Sequence, residues 1–200
     1  MVGQLQDAGN TTTLAHYLKL LETAFLVSGL ELYSAGHGRH RGSSPKLILW
    51  NSALIHALSP LSFAEARREG AGWGRVVENA VGAHLLNQLP EPAWQVTYWR
   101  EGNKEVDFVV TQGREVWALE VKSGRPGRLS GLAAFRARYP RSHALLVGSD
   151  GIPLEDFFVA VGLALPVVTP GQEGHSRATA GRQWITRSPG VNPAIPPPPA

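Results

Sequence analysis

The sequence predicts an α/β fold in which a mixed sheet is flanked by helices. Alternating apolar residues between positions 94 and 122 predict three consecutive strands that form a meander. A helical apolar stripe over residues 75–89 precedes them, and a helix over residues 129–139 leads to a short apolar strand at 143–147. Because a helical crossover connects strands that run parallel, we expect the last strand to lie parallel inside the sheet.

Composition restricts the class of protein. The chain has 200 residues, 43% of them apolar and none of them cysteine, which excludes disulfides and thiolate metal sites. Its longest apolar run, residues 157–168, is interrupted by glycine and proline and is shorter than the ~20 residues that span a bilayer. No signal-peptide pattern follows Met1. We therefore expect a cytoplasmic protein without membrane contact.

The sequence pattern over residues 1–69 predicts a winged-helix-like module. A helix begins at Thr13, strands follow at 26–33 and 46–50, a short helix follows at 52–58, and a loop over 59–72 ends the unit. The loop between the strands is basic, and Arg39, Arg41 and Lys46 would suit contacts with a phosphate backbone. An ordinary polar hairpin loop and a protein-docking module remain alternatives.

Residues 70–165 predict the sheet domain, and residues 166–200 a disordered tail. The tail holds eight of the fifteen prolines and ends in a run of four before Ala200, which favours polyproline II conformations. Residues 152–168 are consistent with either a last helix or an edge strand. His84, on the apolar stripe of the 75–89 helix, is interpreted as a core histidine.

Acidic residues cluster on the second and third strands of the meander. Alternation groups Val106 with Phe108 and Val110 on one face, and Glu105 with Asp107 and Val109 on the other. With the turn at Gln112-Gly113, Asp107 is expected to pair near Ala118. Glu120 then lies one diagonal step away, at roughly 7–8 Å between Cα atoms. Lys122 shares that face, and Glu78 borders the buried stripe of the preceding helix.

This set of side chains predicts a metal-dependent phosphodiesterase. Carboxylates on one face repel each other, which raises the pKa of at least one unless a cation neutralises them. Oxygen-rich clusters suit Mg²⁺ or Mn²⁺, which also accept phosphate oxygens as ligands. Such an ion can activate water and stabilise charge on a phosphate, while Lys122 adds a compact positive charge.

The motifs resemble the PD-(D/E)XK nuclease superfamily, whose core is a helix, a three-strand meander, a helix and a strand. More closely, they are similar to the domain of unknown function that follows the ATPase module in many bacterial and archaeal AAA+ ATPases. The similarity covers roughly residues 12–158 and includes the winged-helix segment. It rests on four stretches, namely Gly74-Arg-Val-Val-Glu78-Asn-Ala-Val, Tyr98-Trp-Arg100, Glu105-Val-Asp107-Phe and Glu120-Val-Lys122-Ser.

The resemblance implies Glu78, Asp107 and Glu120 as metal ligands and Asp107, Glu120 and Lys122 as catalytic residues, with Arg100 added to the nucleic-acid contacts. DNA and a partner ATPase chain are the implied partners. The sequence departs from the family in two ways. Asn51 stands where the family usually has aspartate, and no Gly-x-x-x-x-Gly-Lys-Ser/Thr motif is present, so this chain has no P-loop ATP site.

Three interpretations follow from these residues. The first is a metal-dependent nuclease-like domain, detached from its ATPase. The second is a catalytically inactive DNA- or protein-binding module of the same fold. The third is a set of surface ion pairs that contribute little to stability.

Overall fold

The computed structural model describes residues 11–35, 44–89, 91–124, 129–149 and 151–159. The basic loop residues Arg39 and Arg41 and the proline-rich segment 166–200 lie outside these ranges, so their predicted roles stay predictions.

The N-terminal unit contains the predicted helix and two strands. α1 (Thr11–Thr23) leads into β1 (Val27–Leu30), which pairs antiparallel with β2 (Lys46–Leu49), and α2 (Ala53–Ala57) follows. This order confirms the predicted helix, strand, strand and helix.

The predicted loop over residues 59–72 is wrong, because the chain forms helix α3 (Phe63–Arg68) there. A capping box begins this helix. The Ser62 side chain accepts a hydrogen bond from the Glu65 amide, and the Glu65 carboxylate accepts one from the Ser62 amide at 2.9 Å. The next helix, α4, also begins earlier than predicted and spans Gly70–Gln88.

The second unit is a four-stranded mixed sheet flanked by helices, as predicted. The strand order is β3-β4-β5-β6, with β3, β4 and β5 antiparallel and β6 parallel to β5. The parallel pairing confirms the crossover argument. In chain order the elements are β3 (Gln95–Glu101), β4 (Lys104–Gln112), β5 (Glu115–Lys122), α5 (Ser130–Arg138), β6 (His143–Gly148) and α6 (Leu154–Val159).

Two hydrophobic cores lie on opposite faces of this sheet. On one face, Val77 and Val81 of α4 pack against strand residues such as Phe108. On the other face, Leu132 and Phe135 of α5 form the second core. Burial on both faces explains the consecutive apolar residues at 108–110 in β4 and 116–119 in β5.

The N-terminal unit shares the core beneath α4. Leu30 and Ile48 are buried within it, only 3% and 2% exposed. Asn79 on α4 holds the end of β2, because its side-chain oxygen accepts from the Leu49 amide at 2.8 Å and its nitrogen donates to the Leu49 carbonyl at 3.0 Å. These contacts fix β2 against α4, and Lys46 at the start of β2 contacts Asp107 of β4.

The segment after β6 forms α6, so the helical alternative holds over residues 154–159. Phe157 and Phe158 of α6 contact the ring of His84, which supports its interpretation as a core histidine. Among the residues with described positions, no helix is long and apolar enough to cross a membrane.

Close packing of α5 on β4 yields a stability prediction. A Cβ atom at Gly131 would lie 1.8 Å from the Glu105 carbonyl oxygen, so Gly131→Ala must displace α5 from the strand. We expect a loss of about 1–3 kcal/mol in the free energy of unfolding, as for other overpacked sites. Chemical denaturation measures it. Gly70→Ala is the matched control, because nothing lies within 4 Å of the position that its Cβ atom would take, and equal midpoints for both variants would contradict the packing argument.

Candidate functional site

A β-bulge in β4 shapes one end of the sheet. The register between β3 and β4 shifts by one residue between Thr97 and Trp99, so Asp107 and Phe108 together oppose Tyr98. A bulge of this kind bends the strand and re-aims the side chains next to it. Asp107 is therefore one of the two residues at an irregular position in the strand.

The bulge also changes which residues share a face. Val106 and Val109 both belong to the core beneath α5, whereas Phe108 and Val110 belong to the core beneath α4. The strict alternation that grouped Val106 with Phe108 is wrong, because an extra residue on one strand reverses the side-chain order on either side of it.

The hairpin between β4 and β5 has a different register from the expected one. The turn falls at Gly113-Arg114, with Gly113 in the left-handed region at φ 58°, and Gln112 pairs with the first residue of β5. Ala118 pairs with Val109 instead of lying near Asp107. Compared with the predicted register, β5 is displaced by two residues along β4.

The observed register brings Asp107 and Glu120 closer than predicted. The β4–β5 pairing ends at Phe108 opposite Leu119, which leaves Asp107 and Glu120 as the next residues outward on neighbouring strands. Beyond the last backbone pair of β4 and β5, the Asp107 side chain continues the contact, because its Oδ2 atom accepts a hydrogen bond from the Val121 amide at 2.9 Å. One carboxylate oxygen is thus fixed by the sheet itself.

Glu120 is a buried acid that is only half satisfied. Its side chain is 10% exposed, and Oε1 accepts from Lys122 Nζ at 2.5 Å. The other oxygen, Oε2, is buried and has no hydrogen-bond partner in the described part of the protein. A buried carboxylate oxygen without a donor is costly, so this position favours binding of a cation or a donor group.

Lys46 lies among the remaining acids. Its Nζ atom is 2.6 Å from Glu78 Oε1, 3.3 Å from Asp107 Oδ1 and 3.6 Å from Glu105 Oε1. It also donates to the Asp107 carbonyl at 3.1 Å. The ammonium group therefore neutralises the acids that α4 and β4 contribute.

Electrostatics distinguish these carboxyl groups. Burial raises the pKa of Glu78, and the negative charge of Asp107 raises it further, although Lys46 opposes both effects. Burial and then Asp107 likewise raise the pKa of Glu120, with Lys122 acting in the opposite direction. Burial lowers the pKa of Lys46, but the charges of Asp107, Glu78 and Glu105 outweigh it and the net shift is upward. The site is an electrostatically coupled cluster.

The predicted site residues separate into two groups around Asp107. Glu120 and Lys122 pair with each other on β5, whereas Glu78 reaches Asp107 through Lys46. Within the residues that the structure describes, no group of three or more acidic, histidine or cysteine side chains has the arrangement of a metal site.

The predicted nucleic-acid contacts lie in different environments. The Arg100 Nη2 atom forms an ion pair with Glu105 Oε2 at 2.6 Å, and the Arg100 side chain is still 57% exposed. Lys46 is 14% exposed and turned toward carboxylates rather than solvent.

The sequence predicted Lys46 as a nucleic-acid contact and not as part of the acidic site. The residue lies 61 positions before Asp107. Its basic neighbours in the sequence favour a contact with a phosphate backbone instead. A signal was present, since a lysine at the start of an apolar strand places a cation at a strand end, where polar side chains of neighbouring elements can meet. Only the packing of β2 against α4 identifies which acids those are.

Two regions of this chain match models of protein families. Residues 73–165 match the family described as "Domain of unknown function (DUF4143)". Residues 2–65 match a second, described as "Domain of unknown function (DUF8612)". No solved structure matches the chain.

Two curated relatives are similar to this protein. They are uncharacterized proteins of Mycobacterium bovis and Mycobacterium tuberculosis, each 27% identical over 158 residues. The alignments cover 75% of this chain and 34% of each relative, so the chain spans about a third of the length of the curated relatives that it matches. The protein thus contains regions similar to two families of domains of unknown function, with the acidic site in the second region.

Proposed function

We propose that this protein is a metal-dependent nuclease-like protein that cleaves phosphodiester bonds in DNA, with Asp107, Glu120 and Lys122 as its catalytic residues. The observation that supports the proposal most is the buried Oε2 atom of Glu120, which has no hydrogen-bond partner in the described part of the protein and belongs to the strand beside Asp107. Most buried carboxylate oxygens have a hydrogen-bond partner, and binding of an ion would account for the exception at Glu120.

The residues fit a small, hard divalent cation. Mg²⁺ is usually held by one or two carboxylates and completes its coordination with waters and substrate phosphates. Asp107 and Glu120, on neighbouring strands, would supply such a pair. Mg²⁺ or Mn²⁺ is therefore the proposed cofactor, and Glu78 is a helper ligand only if its bond to Lys46 opens.

Each side chain has a distinct part in the proposed reaction. A divalent ion supplies stabilisation of negative charge on the phosphate and lowers the pKa of water. The Val121 amide orients the Asp107 carboxylate, and the rigid β5 strand fixes Glu120 at its side. Lys122 Nζ lies against Glu120 and offers a positive charge to the attacking water or to a phosphate oxygen.

The order of elements supports a PD-(D/E)XK nuclease-like core. α4, the β3-β4-β5 meander, α5 and β6 follow the order of that superfamily, with the acids on the second and third strands. A partner ATPase chain belongs to the same proposal. The relatives have additional sequence that this chain does not match, and this chain lacks a P-loop motif.

DNA contact is proposed for the N-terminal unit and for the exposed Arg100. Arg39 and Arg41 precede β2 in a basic segment, and cations there would displace counterions from a phosphate backbone.

A second candidate is a catalytically inactive DNA- or protein-binding module. The observation in its favour is that Lys46 and Lys122 already neutralise much of the acidic cluster. Salt-dependent DNA binding without cleavage in Mg²⁺ or Mn²⁺ would support this candidate over the first.

Loss of site residues tests the proposed nuclease. We expect Asp107→Asn and Lys122→Met each to lower Mn²⁺-dependent cleavage of plasmid and single-stranded DNA by about 10²-fold or more, because charge stabilisation by such a site contributes several kcal/mol. Initial cleavage rates on gels measure the effect. Glu115→Gln, an exposed carboxylate on the same strand as Glu120, is the matched control and should leave the rate unchanged. Unchanged rates in the two site variants would contradict the assignment.

Metal affinity should depend on pH. Burial and the Asp107 charge raise the pKa of Glu120, so a proton competes with the metal at pH values above the ordinary carboxyl range. We expect Mn²⁺ affinity to increase as the pH rises through that raised pKa, with proton release on binding. Calorimetry in buffers of different ionisation enthalpy measures both quantities. In Glu120→Gln the pH dependence should weaken, and an equally steep dependence in that variant would contradict a role for Glu120.

A further inference from the structure

Lys46 is unusual because a cation from the N-terminal unit is inserted into an acidic site of the sheet domain. It begins β2, whereas the acids come from α4 and β4. Three carboxylates lie within 3.6 Å of its Nζ atom, namely Glu78, Asp107 and Glu105. A lysine that served only as a surface charge would not converge with three acids from two other elements.

The surroundings hold the ammonium group in a defined position. Nζ lies 5.0 Å from the centre of the Phe108 ring and donates to the Asp107 carbonyl at 3.1 Å. The side chain is only 14% exposed, and the pairing of β2 with β1 and its bonds to Asn79 fix the backbone that carries it. Contacts with charged, carbonyl and aromatic groups together stabilise one location for the charge.

We infer that Lys46 is a built-in cation of the proposed active site, which takes the position of a second divalent ion beside Asp107. The inference rests on the proposed function in one respect, namely that the Asp107–Glu120 side of the cluster binds the divalent ion.

Geometry supports the exclusion of a second ion. Divalent ions of this kind bind carboxylate oxygens at about 2.0–2.6 Å, and paired ions in two-metal sites lie about 3.5–4 Å apart. A second ion bridging Asp107 to Glu78 would need the oxygens that contact Lys46 at 3.3 and 2.6 Å. The ammonium group and that ion would occupy the same space, so the intact site accepts one ion, on the Glu120 side.

The positive charge also has a role toward substrate. In a two-metal site the second ion neutralises one side of the phosphate. Lys46 carries a fixed charge in the corresponding place, linked to the basic segment that precedes β2. It thereby couples the proposed DNA-binding unit to the proposed catalytic carboxylates through one side chain.

Counting bound Mn²⁺ tests the inference. Isothermal titration with Mn²⁺, checked by electron paramagnetic resonance of free Mn²⁺, gives the number of ions per chain. We expect Lys46→Met to bind one more ion per chain than the unsubstituted protein, because three carboxylates lose their cation. Lys46→Arg retains the charge and should show no gain. Lys19→Met is the matched control, since it removes one positive charge from an exposed residue whose side chain is 76% exposed.

The outcomes separate this inference from the proposed function. A folded Lys46→Met protein with no additional ion, or an equal gain in Lys19→Met, overturns the inference. If Lys46→Met is unfolded without metal, millimolar Mn²⁺ is expected to restore its native circular dichroism spectrum, and failure to do so also overturns it. If the unsubstituted protein binds no ion and Lys46→Met binds one, the proposed ion at Asp107 and Glu120 is contradicted, whereas the position of Lys46 as that of a divalent ion is supported.

Discussion

Neutralisation of buried acids is the constraint on which this end of the structure depends. Asp107 lies close enough to Glu78 and to Glu120 to raise the pKa of each, and partly buried carboxylates without a cation are unfavourable. Lys46 offsets the negative charge of Glu78, and Lys122 offsets that of Glu120. Because Lys46 belongs to the N-terminal unit, the acidic cluster and the docking of β2 stabilise each other. Removing one partner of such a cluster leaves the others buried and unpaired.

The order of secondary structure elements could be predicted because local signals agreed with each other. The stripe of α4, the apolar strands of the meander and the crossover through α5 each had a clear period, and β6 is parallel to β5 as expected. The position of Asp107 on one strand and of the Glu120–Lys122 pair on the next also followed from the sequence. These features depend on residues that are near one another in the chain.

Features that depend on a single extra residue or on distant contacts were not predictable from periodicity. The bulge at Asp107-Phe108 reversed the face of Val106, and the turn at Gly113-Arg114 shifted the register of β5. The charge on Lys46 gave no indication that its partners lie on α4 and β4. The capping box at Ser62, in contrast, is a local signal that the sequence does contain. The corrections brought Asp107 and Glu120 closer together, which strengthens the argument for a shared ligand.

Anomalous scattering from crystals grown with Mn²⁺ tests most directly whether Asp107 and Glu120 bind a divalent ion, because it locates the ion. We expect one strong peak about 2.0–2.6 Å from carboxylate oxygens of both Asp107 and Glu120, with Lys46 still bound to Glu78. Crystals grown in Mn²⁺ that show no peak at these carboxylates would contradict the claim that this acidic site is a metal-dependent centre.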